Sequence, residues 1–349
     1  MEWVSERMSY TKKACELVSE NLRGEEVSIC FPLEYKTAVL IYELSKFVKL
    51  KVCRFDDPTT KDEAVKWLEK RGIKIKSREE CLDSEYFLDC VATLTRKAFN
   101  EKRRVEGVVE LTRSGVEKLG EIRDLGVFKR AISIDDSRIK GIGENVYGTG
   151  LGLLDALLRL NIQLTGKKVF IIGFGRVGEG CASLLKKIGC EVEVYDRDEL
   201  RCALAEYMGF QVSEVDVGIA RADIIVTATG SDGIINSSNA GLIRNGAILC
   251  NMGAGVEVDV RSFTDYERKD LGIVSKFTGK NHFYVVANSK PVNLSVGNGT
   301  PIEIMDKTFA LVALALEYLV KQEFSGIINT PEEVEYRLAD LLRKQKIKN

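Results

Sequence analysis

Between Lys167 and Asp196 the chain reads KKVFIIGFGRVGEGCASLLKKIGCEVEVYD. A short apolar run, a glycine turn, an amphipathic helical pattern and a second strand closed by an acid follow one another without a spare residue. This order predicts a strand–turn–helix–strand unit of a parallel sheet. The turn is Gly173-x-Gly175-x-x-Gly178, and Asp196 follows at about the ~20-residue spacing expected of a ribose ligand. Gly173 permits the tight turn, Gly175 lets the backbone approach a pyrophosphate, and Gly178 lets the helix pack close to the strand. Arg176 and Val177 then lie in the first helical turn, whose amides favour phosphate. The segment is a dinucleotide site. Asp196 is expected to accept from both ribose hydroxyls and to repel a 2′-phosphate, which favours NAD over NADP, while Arg197 and Arg201 pull the other way.

With 349 residues the chain exceeds one typical domain of ~100–200 residues, so two domains are expected. A net charge of -1 gives no support for a nucleic-acid partner. No apolar run approaches the ~20 residues of a membrane span, and MEWVSERMSY has neither the basic nor the apolar region of a leader. A cytoplasmic protein is expected. The nine cysteines are dispersed without CxxC spacing and read as reduced, mostly buried thiols. With His282 the one histidine, a histidine metal cage cannot form, and no metal site is expected.

Along the chain, helical spacing to about residue 24 gives way to alternating runs: EVSICFP, TAVLIYELSKF, KLKVCRF, KDEAVKWLEKRG, IKIKS. DSEYFLDCVATL, VEGVVELT and SGVEKLGEIRDLG continue them. After Lys167 the rhythm is cleaner, with VFIIG, EVEVYD, ADIIVTATG and AILCNMG as strands and a helix around Ser238 to Ile243. A long apolar helix is expected over Ile304 to Leu319, and Thr330-Pro331-Glu332-Glu333 should open a last helix as a capping box. The fold class is α/β with two domains. Residues 147–300 form a Rossmann domain with a parallel doubly wound sheet, and 1–146 with 301–349 form a second, substrate-type α/β domain.

Around the glycine turn the sequence resembles S-adenosylhomocysteine hydrolase, an NAD-dependent family that breaks a thioether. ENVYGTGLGLLDALLR, GFGRVGEG, VTATG, LCNMGAGVEVDV and VNLSVGNGTPIEIMDKTFA fall in the family's order. CFPLEYKTAVLIYEL, PTTKDEA, FLDCVATLT and VVELTRSGV carry a looser likeness through the first domain. The resemblance implies that NAD oxidises a ribose 3′-hydroxyl, that elimination and water addition follow at the 5′ side, and that the ketone is then reduced.

The residues matching the oxidation half are present. Lys140 matches the family lysine beside the 3′-hydroxyl, Glu144 stands for its carboxylate partner, and Asn145 matches an asparagine near the nicotinamide. Without the resemblance, Lys140 and Glu144 read equally as a solvated i,i+4 pair. Thr112 and Ser114 match hydroxyls that reach the cofactor, and Asn293 matches a contact to the nicotinamide amide. Thr229 and Gly230 in VTATG and Asn251 in LCNMG complete the expected cofactor set.

The groups for elimination are mostly replaced. Pro32, Ala254 and Thr300 stand where the family has histidines, Cys90 replaces an aspartate beside Asp89, and Leu111 replaces a glutamate beside Glu110. Glu34, Tyr35, Asp89, Cys90 and Glu110 are the candidate substitutes, and His282, in strand-like NHFYVV, is expected to be structural. The basic end KQKIKN lacks the tyrosine of the family's tail, which reaches a neighbouring cofactor site. The expected activity is NAD-dependent oxidation of a secondary hydroxyl on a nucleoside-like small molecule, in a homo-oligomer, dimer or tetramer. Two alternatives stay open: a hydrolase with rebuilt acid–base groups, and a non-catalytic NAD-binding regulator.

Overall fold

The computed structural model describes residues 1–55 and 59–346. Pro58, which opens PTTKDEA, and the last three residues of KQKIKN lie outside them. Strands run in the order β1 (Glu26–Cys30), β2 (Lys49–Cys53), β3 (Ile75–Lys76), β4 (Tyr86–Asp89), β5 (Val105–Glu110) and β6 (Phe128–Ser133). Next come β7 (Lys168–Ile172), β8 (Glu191–Tyr195), β9 (Gln211–Val212), β10 (Ile224–Thr227) and β11 (Ala247–Asn251). β12 (Glu267–Asp270), β13 (Val274–Thr278), β14 (His282–Val286) and β15 (Gly326–Asn329) complete the set.

Two compact units result. Residues 1–141 with 302–349 form the first and 142–301 the second, so the divisions fall slightly before 146/147 and just after 300/301. The first unit's sheet has the order β15-β6-β5-β4-β1-β2-β3, and its pairings are parallel. Its core is built round helix Ile302–Lys321, apolar on nearly every side, with Phe309, Leu311, Leu314 and Leu316 buried. Gly107 admits that helix to the sheet, since a Cβ there would stand 2.8 Å from the Leu319 side chain.

The second unit's sheet has the order β12-β13-β14-β11-β10-β7-β8-β9. Its Rossmann part is parallel as expected, but β13 runs antiparallel to both neighbours, so the whole sheet is mixed. Gly279, between β13 and β14, allows the reversal because a Cβ there would crowd the Asp265 carbonyl at 2.9 Å. The helix expected around Ser238 to Ile243 shrinks to a short 3₁₀ turn, Ala240–Leu242. Asn236 accepts from the Ser238 amide at 2.8 Å and Asn239 from the Asn236 amide at 3.0 Å, and such local bonds compete with helix formation.

In both sheets the strand order reverses direction beside the first strand, between β1 and β4 and between β7 and β10. In open α/β sheets the crevice at the carboxyl ends of such a strand pair is where ligands bind.

Candidate active site

In the second unit the crevice opens on the glycine turn. Gly173 follows β7 at φ 97°, and a Cβ there would stand 2.6 Å from the Ala228 carbonyl oxygen, so only glycine fits. A Cβ on Gly178 would overlap the Gly173 carbonyl, which keeps helix Arg176–Lys187 tight against the strand. Gly175 is that helix's N-cap and no side chain caps it. A Cβ on Gly175 would meet no backbone, only the Arg201 guanidinium at 3.2 Å. This leaves a backbone cradle at the positive end of a twelve-residue helix, the arrangement that receives phosphate. Arg176 is exposed there and Val177 half-buried.

Asp196 ends β8 and is buried, with its oxygens turned toward backbone. Oδ2 accepts from the Phe174 amide at 2.7 Å and Oδ1 from the Asp198 amide at 2.9 Å. The acid thereby fixes the turn.

The loop after β10 rests on Glu257, which the sequence reading missed. Its fully buried carboxylate accepts from the Thr229 amide and hydroxyl, both at 3.0 Å, and from the Gly230 amide at 2.7 Å. Burial raises its pKa against the pull of those donors. A Cβ on Gly253 would overlap the same carboxylate. An acid inside the apolar segment AGVEVDV was the available signal. Asn251 is equally inward: its Nδ2 donates to the carbonyls of Gly255 at 2.8 Å and Ser289 at 2.7 Å, and its Oδ1 accepts from the Gly253 amide at 2.8 Å. Thr229, Gly230 and Asn251 thus form one internally bonded rim. Asn293 differs, because its Oδ1 is buried with no hydrogen-bond partner. An unsatisfied buried acceptor is costly, and a carboxamide N–H is the kind of group that satisfies it. That orphan and the open backbone at Gly175 both fit a nicotinamide dinucleotide. Asn145 is buried, and its carbonyl accepts from the Thr149 hydroxyl at 2.6 Å, while Glu144 is half-buried.

In the first unit the crevice is lined by side chains. After β1, Glu34 caps helix Tyr35–Leu44, accepting from the Lys36 amide at 3.0 Å and pairing with the buried Lys36 Nζ at 2.9 Å. Tyr35 instead donates to Glu63 at 2.8 Å. After β4, the fully buried Asp89 accepts from the amides of Cys90, Leu94 and Thr95 at 2.9, 3.1 and 2.9 Å. Its register partner Glu110 accepts from the Val91 and Ala92 amides, both at 3.0 Å, and from the Thr112 hydroxyl at 2.7 Å. Val91 and Ala92 sit at φ 58° and 52°, a strained pair held in place by that carboxylate. Burial, then the neighbouring Asp89 charge, pushes Glu110 up to about 8, and burial raises Asp89 as well. Thr112 caps its helix by accepting from the Gly115 amide at 3.1 Å, so its hydroxyl is already engaged, and Ser114 lies half-buried in the first turn.

Lys140 is buried at 3% exposure, and its Nζ lies 3.1 Å from Asp135 Oδ1. Asp135 is thus the carboxylate this unit brings to the lysine, a residue the sequence reading passed over although SIDDSRIK displays it. At the positions that the resemblance matched to histidines, Thr300 is buried and Ala254 exposed, and neither side chain titrates near neutral pH. His282, in β14, stands edge-on to Tyr284 at 6.3 Å. Among the described residues no cluster of ligating side chains could hold a metal ion.

Two doubly wound sheets, one carrying a glycine-turn cradle with an acid closing the next strand, define a dinucleotide-binding α/β protein. Residues 145–299 match the family model described as S-adenosyl-L-homocysteine hydrolase, NAD binding domain. The chain is 31% identical to the S-inosyl-L-homocysteine hydrolase of Methanopyrus kandleri over 98% of its length and 88% of that protein. It is 29% identical to the adenosylhomocysteinase of Thermotoga maritima, over 97% of the chain and 92% of the relative. A second S-inosyl-L-homocysteine hydrolase, from Methanosarcina mazei, is 28% identical over 98% of the chain and 90% of its own. The chain belongs to the S-adenosylhomocysteine hydrolase family, and its dinucleotide is NAD.

Proposed function

We propose that this protein oxidises a secondary hydroxyl of a nucleoside-like substrate with NAD, and that the thioether hydrolysis of its family is lost or altered. The observation that carries the proposal is the buried Lys140–Asp135 pair. Asp135 holds the lysine nitrogen in one place, and that nitrogen, in its neutral form, would take the hydroxyl proton as the C–H bond breaks. NAD, when bound, supplies the hydride acceptor. Asn293 would orient the carboxamide through its orphan oxygen, and Glu257 would keep the loop after β10 in shape. The elimination half lacks the family's titrating groups at Pro32, Ala254, Thr300 and Leu111, and has a thiol in place of a carboxylate at Cys90. Each positioned acid or base is typically worth ~10²–10⁴-fold in rate. Incubating the protein with adenosine or inosine and NAD should raise absorbance at the reduced-nicotinamide band. Lys140→Ala should lower that rate by about 10²-fold or more while NAD affinity stays within about threefold. An equal loss of NAD binding would instead make the lysine a structural residue.

The Glu110 carboxyl, pushed up to about 8, supports a second reading in which it is a rebuilt acid–base group of a hydrolase acting on a nucleosidyl homocysteine. Homocysteine release from S-adenosyl- or S-inosyl-homocysteine, lost in Glu110→Gln, would establish it and displace the first. We also propose a cytoplasmic homo-oligomer, dimer or tetramer. The free cysteines suit a reducing compartment. The exposed stripe Leu200, Leu204 and Tyr207 on helix Glu199–Tyr207 suits self-association. Light scattering that returned a monomer would refute the oligomer.

A further inference from the structure

We propose that Arg201 sets the dinucleotide preference of the cradle, so that a 2′-phosphorylated dinucleotide is admitted alongside NAD. An acid at the end of the second strand excludes NADP by two means: its oxygens accept from the ribose hydroxyls, and its charge repels a 2′-phosphate. The first is shared with backbone donors and the second is weakened here. The Asp196 oxygens already accept from the Phe174 and Asp198 amides at 2.7 and 2.9 Å. The Arg201 guanidinium stands 3.5 Å from Asp196 Oδ2 and 3.6 Å from Asp198 Oδ2, so one cation shared by two acids partly offsets the Asp196 charge.

Position supports this role. Arg201 leaves helix Glu199–Tyr207 in its first turn and reaches back over the glycine turn, where its guanidinium is all that a Cβ on Gly175 would meet within 4 Å. Its side chain is 50% exposed while the acid beneath is 7% exposed, so the cation and not the carboxylate meets an incoming ligand first. A guanidinium presents a planar fork of donors that matches phosphate oxygens, and moving a few ångströms from Asp196 to a 2′-phosphate exchanges one anion for another.

Equilibrium titration of the purified full-length protein with NAD and with NADP tests the proposal. Wild-type protein should bind NADP with a Kd within about tenfold of that for NAD, and Arg201→Ala should widen the ratio by about tenfold. A wild-type ratio above about tenfold overturns the proposal, as does a ratio unmoved by Arg201→Ala. Arg201 is half-exposed, so its removal should leave the fold intact, and an unchanged unfolding midpoint confirms that the titrations compare like with like. Binding of neither nucleotide would overturn the proposal together with the cradle itself.

Discussion

The two units share a sheet order around the strand pair that opens each crevice, yet they treat the helix that follows their first strand in opposite ways. After β7 the chain places Gly175 at the N-cap and leaves the helix start to backbone alone. After β1 it places Glu34 there, whose carboxylate accepts the first amides and is itself paired with buried Lys36. A helix N-terminus favours an anion. In the second unit no side chain caps the helix start, which leaves its first amides open to an outside anion, whereas in the first the chain supplies its own cap. The same topology thus yields a dinucleotide cradle in one unit and a closed, side-chain-lined crevice in the other. Topology says where a ligand goes, and the residue at the N-cap says whether it is a phosphate.

The contrast is broken most severely at Gly178. Its Cβ would overlap a backbone carbonyl, which cannot swing aside as a flexible side chain can. Gly178→Ala should cost the second unit about 1–3 kcal/mol through forced backbone shifts and weaken NAD binding by about 100-fold or more. Calorimetric titration together with thermal unfolding checks both. Binding at wild-type strength would mean that the turn has another way to hold its shape, and the comparison of the two N-termini would lose its basis.

Next in size is the pH response of the first unit, which the second lacks a counterpart for in a paired form. Glu110 titrates near 8 when folded and near 4.5 in its ordinary state, so the folded protein prefers it protonated. Stability from this group is complete below about pH 4.5 and is lost as pH rises through about 8, at about 1.4 kcal/mol per unit where the slope is full. Glu110→Gln should flatten the fall in unfolding midpoint between about pH 5 and 8. A slope equal to that of the wild type would show that Asp89 or another group carries the titration.

Legibility followed the range of the interactions. The strand β7, its glycine turn, the next strand β8 and Asp196 are consecutive in sequence and obey one short spacing rule, and the structure places them where that rule does. Helix Ile302–Lys321 was equally plain, because the unbroken apolar run Phe309–Leu316 at its centre has to be buried on every side. Glu257 was not, since its partners Thr229 and Gly230 lie on a different loop and only the tertiary fold brings them to one carboxylate. Asp135 was passed over as a partner of Lys140 because it lies five residues before the lysine, ahead of the short helix Arg138–Lys140, where an i,i+4 rule does not look. The segment around Ser238 to Ile243 read as helix, yet the asparagine side chains at its start bond their own backbone.

The smallest effect sharpens the comparison most directly. Glu34→Ala removes the anion that the first unit provides for its own helix, and loss of such a cap typically costs about 1 kcal/mol. The cost should rise beyond that figure because the variant also removes the carboxylate that pairs with the buried Lys36 at 2.9 Å. Added sulfate or phosphate should then recover part of the loss in unfolding midpoint, since an uncapped helix start beside a buried lysine has the character of an anion site, while the wild type should respond much less. If anions rescue the variant no more than the wild type, the two helix starts differ in more than their caps. In that case the shape of the crevice, not the charge at the N-cap, separates a unit that binds phosphate from one that does not.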